Sequence, residues 1–116
     1  MTGASVKDQT LLSAATSGTS LSVDVSQFKN WTVVFQSNGT TSGGTILVEE
    51  AYWPSTEQDY TGTWSLLYTM SASTFSGGAQ VALHYGNNNT YRRVRVRISS
   101  NITGGGTVTV YLNATE

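Results

Sequence analysis

Apolar and polar positions alternate with a period of two along most of this chain, and helical periodicity is nearly absent. In LSVDVSQF, Leu21, Val23 and Val25 fall on one face and Ser22, Asp24 and Ser26 on the other. In WTVVFQ, the shared face holds Trp31, Val33 and Phe35. TILVEE follows NGTTSGG, whose Asn-Gly and Gly-Gly pairs form turns because glycine accepts positive φ. Trp31–Gln36 and Thr45–Glu50 therefore read as neighbouring antiparallel strands. Pro54, the only proline, ends the second of these, since it has no N–H for a ladder.

Residues 54–63 read as a polar loop. A strand through Trp64, Leu66 and Tyr68 follows, then a loop over SASTFSGG. AQVALHY sets Val81, Leu83 and Tyr85 against Gln80, Ala82 and His84. GNNNT is a tight connection into YRRVRVRIS. The last strand, TVTVYLNA, points Val108, Val110 and Leu112 inward and Thr107, Thr109 and Tyr111 outward. The first twenty residues are weakly apolar; they read as an N-terminal arm with a possible first strand at Gln9–Ala14, ahead of a domain at 21–116. Seven to eight short strands with a turn signal about every ten residues predict an all-β antiparallel sandwich, Ig-like or jelly-roll, rather than a barrel.

The length of 116 residues fits this single domain and its one core. Charged residues make up 11% of the chain, against about 25% in an ordinary soluble domain. The formal net charge of −1 offers no general attraction to nucleic acid or an anionic membrane, and neither is expected as a partner. A polar, weakly charged surface suits a protein held in an assembly. There is no cysteine, so no disulfide framework or thiolate metal site forms. The N-terminal stretch carries no apolar core of signal-peptide length, and synthesis in a host cytoplasm is expected.

Catalytic groups are sparse. His84, the one histidine, has no cysteine to join in a zinc site and reads as structural. No G-x-S-x-G elbow and no phosphate loop occurs; GGG at 104–106 lacks a lysine and precedes a strand, so it reads as a turn. Glu49 and Glu50 are adjacent on a strand and point to opposite faces, so they make no carboxylate dyad. Glu57 and Asp59 in the loop lack the neighbours for a calcium or glycosidase site. The expectation is a non-enzyme without metal or cofactor. Five N-x-S/T triplets, at Asn30, Asn38, Asn88, Asn101 and Asn113, read as products of a Thr-rich composition. Tyr52, Trp53, Tyr60 and Trp64 cluster around one loop; of these, Trp53, Tyr60 and Trp64 are candidates for stacking on sugar rings, and Trp53 and Tyr60 for a protein interface.

Four of the six basic residues lie in YRRVRVRIS. Val94, Val96 and Ile98 line one face of this strand. Arg93, Arg95 and Arg97 project together from the other, while Arg92 shares the valine phase at the strand's mouth. Three guanidinium groups in a row repel one another unless something negative lies opposite. Glu49, Glu50, Asp24 and Asp59 are available within the chain. A partner subunit's carboxylates or an anionic ligand are the alternatives, because arginine pairs well when partly buried. Arg93, Arg95 and Arg97 are therefore interface candidates.

Taken together, three segments resemble small accessory β-sandwich proteins encoded among the structural genes of tailed bacteriophages. QTLLSAATSGTSLSVDVSQFKNWTVVFQSNG is similar to their opening, TILVEEAYWPSTEQDYTGTWSLL to their next segment, and YRRVRVRISSNITGGGTVTVYLNAT to their close. The chain departs at the loop, where DYTG replaces an Asp-Gly turn. The resemblance implies a virion component on the capsid exterior. Its role would be a cement or decoration protein, a homo-oligomer and commonly a trimer, that bridges neighbouring copies of the major capsid protein or another virion protein. The alternative is a carbohydrate-binding or tail-associated adhesion module that uses the loop aromatics.

Overall fold

The computed structural model describes residues 6–52, 62–86 and 92–115. Among them nine strands form two antiparallel sheets packed face to face: β1 Val6–Ala15, β2 Gly18–Thr19, β3 Val23–Asp24, β4 Asn30–Asn38, β5 Gly43–Ala51, β6 Ser65–Ser71, β7 Gln80–Gly86, β8 Arg93–Thr103 and β9 Thr107–Thr115. The first sheet runs β1-β9-β4-β7 and the second β2-β8-β5-β6, with β3 also on β8. The all-β sandwich read from alternation is the fold, with slightly more strands than the seven or eight expected. The added one is β2, which with β3, within the expected LSVDVSQF strand, makes two short pieces of one interrupted edge. Between them the Ser20 Oγ accepts the Val96 N–H at 3.0 Å, and the Ser20 N–H reaches the Val96 carbonyl at 2.9 Å.

The inward faces meet in an apolar core. Trp31, Val33 and Phe35 of β4, Val108, Val110 and Leu112 of β9, and Val94, Val96 and Ile98 of β8 are all buried, as their alternation predicts. Ile46 and Val48 of β5 complete the facing layer. Trp31 stacks on Tyr85 of β7, with ring centroids 4.5 Å apart. No helix among the described residues is long and apolar enough to cross a membrane.

Four expectations change. First, β4 and β5 are not neighbours: β4 pairs with β7 and β9, and β5 with β6 and β8. The segment joining them crosses from one sheet to the other. There the Gly106 N–H donates to the Thr40 carbonyl at 2.7 Å, and a Cβ at Gly106 would stand 2.6 Å from that oxygen. Second, Leu21 is 55% exposed, since the edge is interrupted between β2 and β3 and the alternation does not run through it.

Third, SASTFSGG is not a plain loop. It holds a 3-10 turn at Ala72–Phe75 that buries Ala72 and Phe75. Thr41 Oγ1 donates to the Ala72 carbonyl at 2.9 Å, and Ser37 Oγ donates to the Phe75 carbonyl, so side chains from the end of β4 and the crossing segment satisfy this buried backbone. Fourth, Leu66 and Tyr68 do not share a face. A bulge sets Tyr68 opposite core-facing Val48 and Leu66 opposite outward Glu49; the extra residue, Leu67, packs on the core.

At the N-terminus, β1 pairs with β9 from Val6 to Ala15, with irregularities on either side of Leu12. Its Leu12 is buried in the core.

Candidate functional site

The outer face of the second sheet carries the arginine row. The register aligns Arg97 with Leu47, Arg95 with Glu49 and Arg93 with Ala51. Residues directly opposite in an antiparallel pair point to the same side, so Glu49 projects among the arginines. Its carboxylate collects both neighbours: Arg95 Nε donates to Oε1 at 2.9 Å, Arg97 Nε to Oε1 at 3.2 Å, and Arg97 Nη2 to Oε2 at 3.2 Å. The Arg97 contact is a fork on both carboxylate oxygens. The Glu49 side chain is 8% exposed and that of Arg97 39%. Burial alone would push the Glu49 carboxyl up. The hydrogen bonds from Arg97 and Arg95, with the charges of both, outweigh it and hold this carboxyl below the usual range. The same contact raises the Arg97 guanidinium further.

Trp64 supports this cluster from the β6 side. The Arg95 guanidinium lies over its ring, 4.3 Å from the centroid. Beside it stand Leu66, 58% exposed, and the half-buried Leu47. The face is therefore a clamped arginine–carboxylate pair on an indole, ringed by aliphatic side chains.

The row of three divides. Arg95 and Arg97 reach the surface, whereas Arg93 is buried and its Nε donates to Ser22 Oγ at 2.9 Å. Edge strand β3 pairs alongside it, with Asp24 opposite in the register. Arg92, in the valine phase, turns to the sandwich's end. Its Nε lies 3.0 Å from Glu50 Oε1, both side chains nearly buried. That contact is misaligned for a hydrogen bond, so charge holds it. Arg92 Nη2 donates to the Tyr52 hydroxyl at 3.2 Å. Burial pushes the nearby Tyr85 phenol up, with Tyr68 and Glu50 adding to the shift.

Glu49 and Glu50 thus point to opposite faces and serve different arginines, and for Arg92, Arg95 and Arg97 the carboxylates come from within the chain. Trp64 is half-buried and already engaged. Trp53, Tyr60, Glu57 and Asp59 lie outside the described residues. His84 is exposed on β7, with its Nδ1 3.0 Å from Thr32 Oγ1. Among the described residues, no three His, Cys, Asp or Glu side chains gather as a metal site. Sequence reading did not connect Arg95 to Trp64 or Arg92 to Tyr52. The only available signal was an aromatic residue flanking each strand end, and its meaning depends on register.

No family model and no curated protein matches this chain. Among solved structures, the chain is similar over its whole length to the SPBc2 prophage-derived protein YomS: 19% identity, 97% of that chain covered, TM-score 0.65. This is a shared fold. Lesser overlap is found with the Clostridium thermocellum xylanase 10B CBM22-1–GH10 modules (13% identity, 83% of this chain and 19% of that one, TM-score 0.47). A structure described as CBM4 gives 13% identity over 84% of this chain and 59% of that one, at TM-score 0.45.

Proposed function

We propose that this chain is a structural protein of a bacteriophage virion that works by protein–protein contact. In the finer form of this reading, it is a capsid cement protein. It sits as a homotrimer on the capsid exterior and bridges neighbouring copies of the major capsid protein. The observation that carries the reading is the rigid outer face of the second sheet. Glu49 holds Arg95 and Arg97, and Arg95 lies over Trp64, so little side-chain freedom is lost when a partner covers them. Exposed Leu66 and half-buried Leu47 supply apolar area beside them. The full-length likeness to a prophage-derived protein supports the phage setting.

Imaging of purified virions tests it. The expected result is density for this fold on the head surface, with the outer face of the second sheet against a capsid subunit. Heads lacking the protein should burst at lower temperature or milder osmotic shock. Absence from virions, or unchanged head stability after its removal, overturns the cement role. Adhesion to glycans through Trp64 has weaker support, because Arg95 already occupies one side of the ring.

A further inference from the structure

The opposite surface, the outer face of the first sheet, has a different chemistry. Register lines up Thr10, Tyr111, Val34 and Ala82 across the four strands, and beside them Asp8, Asn113, Thr32 and His84. On the other side of the Tyr111 row, Thr109, Gln36 and Gln80 stand in line. Tyr111 is 38% exposed in the midst of these hydroxyl and amide groups. Two grooves meet at its ring. One, near 330 Å³, is lined by Asp8, Thr10, Val34, Gln80 and Asn113; the other, near 410 Å³, by Gln36, Asn38, Gly78 and Thr109. Each is within the range of small-ligand sites, roughly 300–1,000 Å³.

We propose that this face binds a neutral polysaccharide chain, with Tyr111 as the stacking platform between two sugar subsites. Three observations select that ligand. An exposed phenol ring presents an apolar surface that matches the C–H face of a pyranose. Around it, Gln36, Gln80 and Asn113 offer both donors and acceptors, as sugar hydroxyls require, and Asp8 adds acceptors. The Asn113 amide donates to Asp8 Oδ1, which fixes that carboxylate and leaves its second oxygen for a ligand. Among the described side chains of this face the only carboxylate is Asp8, and no lysine or arginine accompanies it, so an anionic polymer finds no counter-charge. Grooves on both sides of one ring suit a chain of sugars better than a single one. This site is separate from the arginine face, and the proposal does not rest on the virion reading.

Native electrophoresis of the full chain through gels containing dextran, yeast mannan, hydroxyethylcellulose or polygalacturonate tests it. Retardation by at least one of the three neutral polymers is expected. Tyr111→Ala should weaken it at least tenfold and Gln80→Ala severalfold, with melting temperature monitored alongside. Leu66→Ala, on the other sheet, should leave it unchanged. No retardation by any neutral polymer overturns the proposal, as does strongest retardation by polygalacturonate. Unaltered binding by a folded Tyr111→Ala protein also overturns it. Should Tyr111→Ala not fold, Gln80→Ala decides alone, and parental affinity in that variant counts against the site. Capture of a protein partner through this face, in place of glycan, is a further refuting result.

Discussion

Arg97 grips Glu49 with two nitrogens, Nε on Oε1 and Nη2 on Oε2, each at 3.2 Å. The same carboxylate also accepts from Arg95, so one acid bridges two cations two positions apart on β8 and the trio keeps one positive charge. Replacing Glu49 with alanine leaves those cations facing each other without an acceptor. Removing one partner of a buried pair costs about 3–5 kcal/mol; the exposure of Arg97 lets water recover part of that, and about 2 kcal/mol is expected here. Urea unfolding measures it. Arg97→Lys keeps the charge but loses the fork, and should cost about 1 kcal/mol or less.

The depressed carboxyl of Glu49 also sets an acid limb. A folded pKa below the unfolded one, about 4.3, means that the unfolded state binds the proton more readily. The stabilisation is fully present above the unfolded value. It is lost as pH falls from there through the lower folded value. Glu49→Gln should be less stable at pH 7 and show a shallower decline below about pH 4.3. Parallel melting curves for the two proteins, taken down to strongly acidic pH, check this; equal slopes would contradict it.

Ser37 spends its hydroxyl twice. It donates to the Phe75 carbonyl and accepts the Gly78 N–H at 2.8 Å. Ser37→Ala strands both backbone groups where water has little access, at about 1–3 kcal/mol. Because these groups belong to the turn that buries Phe75, amide exchange should accelerate over residues 72–78 before the rest of the sandwich. Uniform acceleration across both sheets would show that the hydroxyl acts elsewhere.

Gly44 occupies φ +119°, and a Cβ there would lie 2.7 Å from Ile102 Cδ1 and 2.8 Å from Ile102 Cα. Gly44→Ala must move backbone as well as a side chain, and a loss of 2 kcal/mol or more is expected. Gly77 is also at positive φ but faces open space, so Gly77→Ala should cost less, about 1 kcal/mol. The difference in thermal midpoint between these two variants separates steric contact from backbone preference.

Much of the sandwich was legible because alternation reports burial directly. Val94, Val96, Ile98, Val108, Val110 and Leu112 all face the core. Alternation does not report which sheet receives a strand. β4 and β5 have equally apolar inner faces, and their placement in different sheets shows in their ladders, not in the pattern. The phase of β6 was hidden by a bulge, which has no marker residue in SLLYTM. The inner face of β8 was clear, but its pairing was not: which of Glu49, Glu50 and Asp24 serves which arginine depends on the β5–β8 register. Arg93 read as outward and exposed by parity, yet it is buried beside the edge strand, with its Nε on Ser22 Oγ.

The order β1-β9-β4-β7 places the C-terminal strand between the first and the fourth. Of strands adjacent in sequence, β5 and β6 are joined by a full ladder, and the other long ladders link distant parts of the chain. Closing such distant pairs makes folding slow. The first sheet cannot be completed before β9 is made, because β1 and β4 have no shared partner until then. Until then the valine-rich strands stay exposed to neighbouring nascent chains, and yield depends on how quickly β9 follows them and what shields them meanwhile.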